Sequence, residues 1–241
     1  MKKPLVIAII AAVVVVAVVL ILVFTIGGGK AKVAVPKVGA LLPLTGSLAE
    51  FGAGFVLAGD LAVEQFGEAG WPIKLEYADT ETSAIPGVEA ARSLVDLEKV
   101  VALIGAASSG VSIPIAESVS IPSQIPQISN ASTAAMITYL PADEGKDFLF
   151  RTAPTDALQG VVLGDLAKRE GYTSAAVFWV NNPYGQGLME QFKMSFEHRG
   201  GKIVASVPHD EKPAPTYVSE LKRLMDSKPD VMLALGYPGQ A

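Results

Sequence analysis

From Lys37 onward the chain alternates short apolar runs with stretches of helical periodicity, and few folds accommodate that alternation. The apolar runs fall at residues 37–42, 73–77, 101–104, 126–129, 149–151, 174–179, 203–208 and 231–235. Between them Phe55, Ala58, Ala62 and Phe66 recur at helical spacing, with Asp60, Glu64 and Gln65 on the polar side. Val88, Ala91, Leu94 and Val95 repeat the pattern in residues 87–99, and Tyr217, Leu221, Leu224 and Met225 repeat it again near the C-terminus. Helices are also expected over 109–118, 155–170 and 184–198, with Gly67, Gly70, Gly171 and the Gly200–Gly201 pair as stops. Apolar strands alternating with helices at this spacing predict an α/β fold, with parallel sheets covered by helices on both faces.

The pattern divides into two sets joined through Phe150-Arg151-Thr152-Ala153-Pro154-Thr155. It predicts two Rossmann-like lobes, residues 37–154 and 155–241, with a hinge at the join. The second set has three strands and no helix returning to the sheet after residues 231–235. A parallel sheet with a bare face is unfavourable, so the second lobe is expected to be incomplete.

Ahead of the lobes, residues 5–26 are apolar except for Thr25. A helix of that length is about 33 Å long, enough to cross a bilayer core. Lys2 and Lys3 precede it with no acidic residue, which places the N-terminus on the cytoplasmic side. Residues 1–29 therefore read as a signal-anchor, a transmembrane helix followed by a glycine-led tether. A cleaved signal peptide trimmed near Thr25–Gly27 is the alternative, and fits less well because its apolar stretch is usually shorter. Either way the rest of the chain is expected outside the cytoplasm, on the cell membrane or secreted.

Composition removes several functions. The net charge is −5 and no basic cluster appears, which excludes a nucleic-acid surface. There is no cysteine, so disulfides, thiolate metal sites and a lipid anchor on cysteine are ruled out. His198 and His209 stand in unrelated contexts, a poor basis for a zinc site. No nucleophile elbow, phosphate-binding P-loop or H-E-x-x-H motif occurs, and Ser219 to Lys222 matches S-x-x-K only on an amphipathic helix. Asp60, Asp79 and Glu81 make no credible acid–base pair. The chain reads as a binding protein, without cofactor or metal, rather than an enzyme.

In open α/β sheets ligands bind beyond the carboxyl ends of the strands. That rule selects the loops at 43–52, 105–110, 129–133, 181–187 and 236–237. Ser108-Ser109 opens a helix directly after a buried strand, where free N–H groups and a hydroxyl attract an anion. No lysine or arginine lies nearby, so a carboxylate suits the place better than a phosphate. An ordinary serine cap explains the same residues. Ser132 and Thr133 can reach the same anion, or can be satisfied within their loop. Phe51 and Tyr184 can sandwich a ligand, or serve as core aromatics.

Taken in order, residues 38–46, 105–109, 129–133, 150–152, 184–187 and 229–231 resemble the leucine/isoleucine/valine-binding proteins, the type I periplasmic solute-binding subunits of ABC importers. The resemblance covers residues 37–241 and implies the type I periplasmic-binding-protein fold. It implies that Ser109 holds a ligand α-carboxylate, that Ala131 and Ser132 line the pocket through backbone groups, and that Thr133 donates to the carboxylate or accepts from the ammonium. It further implies that Phe51 lies against the ligand, that Tyr184 closes over it and that Tyr237 sits near the ammonium. The carboxylate that pairs with the ammonium is expected beyond Ala241. The implied ligand is a branched-chain or similar small amino acid, delivered by hinge closure to an ABC permease. A membrane-linked sensor ectodomain for amino acids or amides is the alternative, and an exported hydrolase a weaker one.

Overall fold

The computed structural model describes residues 34–238 and 240. The reading of residues 5–26 as an anchor lies outside these; among the described residues no helix is long and apolar enough to cross a membrane. Two sheets sit within one compact unit, Pro36–Ala241. The first comprises β1 (Lys37–Leu42), β2 (Lys74–Asp79), β3 (Ala102–Gly105), β4 (Gln127–Ser129) and β5 (Leu149–Arg151), in the order β2-β1-β3-β4-β5. The second comprises β6 (Ser174–Val180), β7 (Lys202–His209) and β8 (Val231–Leu235), in the order β7-β6-β8. Every pairing in both sheets is parallel, as the strand–helix alternation predicts.

Parallel pairing requires a crossover at each step, and the amphipathic segments supply them. Helix α1 (Ala49–Glu68) links β1 to β2, α2 (Ala84–Asp96) links β2 to β3, and α3 (Ser109–Ile115) follows β3. The expected helix at 109–118 runs further, through a π-helical turn at Ala116–Ser120 and a last turn at Ile121–Ser123. Pro114 and Pro122 each remove a helical N–H, and the wider turn lies between them. In the second lobe α4 (Asp156–Arg169) precedes β6, α5 (Pro183–His198) joins β6 to β7, and α6 (Val218–Met225) joins β7 to β8.

The first core is built from Leu41 and Leu103 on adjacent strands, with Ala91 and Leu94 of α2 and Val111 and Ile115 of α3 over them. In the second lobe, β6 buries both faces. Ala175 and Val177 meet Leu188, Phe192 and Phe196 of α5, while Ala176 and Phe178 meet Val207 and Leu224. Asp230 locks the start of β8 to β6, its carboxylate accepting the Thr173 N–H at 2.8 Å, the Thr173 hydroxyl at 2.7 Å and the Ser174 N–H at 2.9 Å. The Thr173 hydroxyl and these N–H groups hold the acid at about 2.

Register places the functional loops together. Leu41 of β1 lies beside Gly105 of β3, and Ile104 beside Ile128 of β4, so the chain leaves all three strands at one edge of the sheet.

Helices α4 and α5 approach so closely that a Cβ on Gly160 would lie 2.3 Å from the Gln191 Cβ, and one on Gly164 would lie 2.4 Å from the Ser195 Oγ and 2.8 Å from the Phe196 amide nitrogen. Backbone atoms cannot rotate away from such a contact. Gly164→Val should therefore lower stability by about 2–3 kcal/mol, the cost of overpacking at a helix contact. Chemical denaturation read by circular dichroism measures it, and Gly187→Ala, where open space receives the methyl, is the control.

Candidate functional site

The loop after β1 is held from the neighbouring strand. Asp79, at the end of β2, accepts the N–H groups of Leu44 (2.9 Å) and Thr45 (3.1 Å) and the Thr45 hydroxyl (2.6 Å). Burial pushes the Asp79 carboxyl up, but the Thr45 hydroxyl and the N–H groups of Glu81, Thr45 and Leu44 outweigh it and leave the acid below its ordinary range. The loop then turns into α1, which presents Phe51 and Phe55 to the groove between the lobes.

Beneath the loop after β3 lies a polar plug. The Ala106 carbonyl accepts hydroxyls from Ser129 (2.6 Å), Ser112 (2.8 Å) and Ser132 (3.2 Å). Gln127, fully buried, donates to the carbonyls of Gly105 and Ser112, both at 3.1 Å, and accepts the Ser120 hydroxyl at 2.7 Å. Each buried polar group here has a partner, so the plug is rigid rather than costly.

Above it, Ser108 caps α3 by accepting the Gly110 N–H at 3.2 Å. Ser109 is 2% exposed, and its oxygen accepts the Ala134 N–H at 3.2 Å. One lone pair is thereby used, and the hydroxyl proton has no acceptor among the described residues, which leaves it available to a ligand. Thr133 sits next to Ala134, but its hydroxyl donates to Asp156 Oδ2 at 2.9 Å. A hydroxyl has one proton, so the Thr133 side chain as placed can accept from a ligand but not donate to it.

Ser132 departs from the pocket-lining role the resemblance implies. It is 1% exposed, its one hydroxyl proton lies between the carbonyls of Ala106 and Ala107, both 3.2 Å away, its oxygen is 2.9 Å from Ser112 Oγ, and its N–H donates to Ser129 Oγ at 2.9 Å. It supports the floor and does not face the groove.

A cavity of about 360 Å³ lies at this place. Its walls bring together Phe51, Ser109, Ala131, Thr133, Tyr184 and Tyr237 of the residues singled out from sequence. Leu48, Phe55, Ala107, Ser108, Gln159, Gly236 and Pro238 complete it. The rings of Tyr184 and Tyr237 stack at 5.7 Å and 11° and form the second-lobe wall. Three roomier hollows, of about 610, 650 and 600 Å³, are surface grooves along residues 137–151, between Thr45–Ser47 and Asp210–Pro213, and between Glu117–Gln124 and Ala142–Phe148. None combines an aromatic wall on both sides with a free hydroxyl donor, so the smaller cavity is the candidate.

Asp156 is the group that sequence reasoning missed. It opens α4, where a threonine–aspartate pair looks like ordinary capping, and Thr155 does cap by accepting the Ala157 N–H at 3.3 Å. Yet Asp156 is fully buried, and its Oδ1 has no hydrogen-bond partner. Burial pushes its carboxyl up to about 6, against the pull of the Thr133 hydroxyl and the Arg151 charge. A carboxylate therefore lies behind Thr133 and within the electrostatic reach of Tyr184, whose hydroxyl burial and Asp156 together push up. The resemblance places the acid that answers an ammonium beyond Ala241; Asp156 is a buried carboxylate already present at the start of α4.

A groove between two parallel α/β lobes, lined by aromatics and with a hydroxyl donor on one lobe, is the arrangement of a two-lobed solute-binding fold. Residues 36–241 match the family model for periplasmic binding protein, and the chain belongs to that family, in its leucine/isoleucine/valine-binding type. It is 28% identical over 213 residues to the chemotactic signal transduction system substrate-binding protein BasB of Halobacterium salinarum, covering 85% of this chain and 50% of that one. A leucine-binding protein LivK from Thermotoga maritima superposes with a TM-score of 0.73 at 27% identity, covering 84% of this chain and 57% of that one. A solute-binding protein of an ABC transporter from R. palustris, in complex with benzoate, gives a TM-score of 0.76 at 27% identity, over 86% of this chain and 57% of that one. The chain thus spans about half the length of the relatives it matches.

Asp156 makes the fold pH-sensitive in a defined direction. Its carboxyl titrates near 4 when unfolded and at about 6 when folded, so the folded state holds the proton more tightly. The stability this contributes is present below pH 4 and is lost as pH rises through 6. Asp156→Asn should remove that loss and raise stability at pH 7 relative to pH 4.5 by about 1–2 kcal/mol after allowance for screening. Urea midpoints of both proteins across pH 4 to 7.5 provide the measurement.

Proposed function

We propose that this chain is the extracytoplasmic solute-binding component of an ABC importer and that it binds a small apolar α-amino acid between its lobes. The observation that carries this reading is the unpaired Oδ1 of Asp156, one hydrogen bond behind Thr133, which lines the same cavity as the unspent proton of Ser109. A hydroxyl donor for an anion and a hydroxyl acceptor backed by a carboxylate thus share one cavity, an arrangement that suits a zwitterion. The ligand carboxylate takes the Ser109 hydroxyl and the N–H groups around the start of α3. The ammonium takes the Thr133 oxygen and lies against Asp156, which relieves a buried charge that otherwise costs about 1–3 kcal/mol. The side chain meets Phe51, Phe55 and the stacked tyrosines.

An aromatic acid of the kind bound by the R. palustris protein satisfies the donors but brings a second negative charge towards Asp156 and leaves Oδ1 unpaired. The amino acid is therefore the better fit. Closure of the second lobe over the ligand supplies the form that the permease engages. Residues 5–26 are proposed to tether the domain to the membrane, which raises its concentration near the transporter. The relationship to BasB supports a second reading, in which the liganded form reports to a membrane sensor. Co-purification after crosslinking, with a permease or with a signalling protein, separates the two.

Calorimetry tests the ligand class. L-Leucine should bind, while 4-methylpentanoate, which lacks only the amino group, should bind at least tenfold more weakly, and benzoate should behave like the latter. Ser109→Ala should raise Kd for L-leucine by about ten- to a hundredfold, the worth of one charge-assisted hydrogen bond. Because the ammonium favours ionised Asp156, leucine affinity should rise from pH 5 to pH 7, with proton release near pH 6. Equal binding of leucine and 4-methylpentanoate would overturn the assignment.

A further inference from the structure

Beside the cleft the two lobes are joined by a ring of hydrogen bonds, none of which involves a ligand. We propose that this ring, formed by Ser108 of the first lobe with Tyr237, Asn182 and Glu211 of the second, is a closure latch. It holds the lobes together before a solute arrives, and it sets affinity without setting ligand choice.

The proton inventory makes the ring directional. The Asn182 amide has two N–H bonds, which go to Glu211 Oε1 at 3.0 Å and to the Tyr237 hydroxyl oxygen at 2.9 Å. With its oxygen accepting, Tyr237 directs its own proton to Ser108 Oγ, 3.0 Å away across the cleft. The Ser108 hydroxyl lies near enough to the Glu211 carboxylate to pull its pKa down. The two Asn182 donors and the Tyr237 proton each have one acceptor within the protein, and the chain runs from Glu211 through Asn182 and Tyr237 to Ser108. A second bond between the lobes runs from the Ser47 hydroxyl to the Glu211 backbone carbonyl at 2.9 Å.

The ring rests on helix starts in both lobes. Ser108 caps α3, and Asn182 Oδ1 caps α5 by accepting the Gly185 N–H at 3.0 Å. The sheets share no strand pairing, so contacts of this kind position one lobe on the other. The ring differs from the binding groups in what it recognises. Ser109, Thr133 and Asp156 present unspent capacity to a ligand, whereas the Asn182 and Tyr237 donors are consumed within the protein.

The decisive variant is Asn182→Asp. It keeps the shape and the Oδ1 cap, deletes both N–H donors and sets a carboxylate against Glu211. Adding Glu211→Gln supplies an amide to that carboxylate and rebuilds the link with its polarity reversed. Because the chain has no native cysteine, Glu64→Cys on α1 and Glu197→Cys on α5 can be spin-labelled uniquely. Without ligand, the intact chain should give one narrow lobe–lobe distance. Asn182→Asp should give a longer, broader distribution, and the double variant should return it. Glu211→Ala, which leaves the α5 cap untouched, should open the lobes as well. With L-leucine and L-isoleucine as probes, the opening variants should bind both about tenfold more weakly at an unchanged ratio. An unchanged distance distribution, a double variant that stays open, or a changed ratio would overturn the latch. The distance measurement uses no ligand, so its outcome is independent of the amino-acid reading.

Discussion

Three serine hydroxyls converge on one carbonyl, that of Ala106, and the site above depends on them. The hydroxyls come from α3, from the end of β4 and from the loop after it. Together with Gln127 they tie the loop at 105–109 to the loop at 129–134 from below. An apolar floor would fill the same space but would hold neither loop at a set height. A satisfied polar floor does, because moving either loop breaks several buried hydrogen bonds at once. The spacing between Ser109 and Thr133 follows from that floor.

The parallel sheet brings the second constraint. Its strands end at one edge, so every loop after β1, β3 and β4 opens towards the same groove, and the second lobe meets it with the loops after β6, β7 and β8. Helix starts gather there as a consequence, with Ser108 and Asn182 capping the two nearest. Their exposed N–H groups favour negative charge, and the region answers with both a ligand-facing donor at Ser109 and a built-in acceptor at Glu211. Burial pushes the Glu211 carboxyl up, and the Asn182 and Ser108 hydrogen bonds act in the opposite sense. The same physics that would attract a ligand carboxylate therefore also favours the contact between the lobes.

Much of this was legible from residue order. Strand positions could be read because buried parallel strands are short, continuous and apolar, and helix faces because 3.6-residue spacing is hard to mimic. The helix start at Ser108-Ser109 could be read because a serine pair between a buried strand and a helical stretch is a cap signal, and Ser108 does cap α3. The assignment of hydroxyl protons could not. Nothing in the spelling Ser-Thr at 132–133 distinguishes a serine that supports the floor from a threonine whose proton is committed to a distant carboxylate. That distinction depends on Ser129 and Asp156, three and twenty-three residues away, and on burial that only the packed lobes create.

Asp156 illustrates the limit most sharply. At the start of a helix an aspartate is ordinarily favourable, exposed and paired with N–H groups. Here the same position is fully buried in the packed protein. One oxygen keeps the Thr133 hydroxyl and the other is left without a partner. On the proposed reading that carboxylate is in a state that a neutral or anionic solute cannot improve and an ammonium can. Two features that look redundant in sequence, a helix-start acid and a hydroxyl-rich loop, then become complementary: Ser109 supplies the donor and Asp156 the counter-charge behind Thr133. Selectivity for a zwitterion would follow from what the packed lobes leave unsatisfied as much as from what they offer.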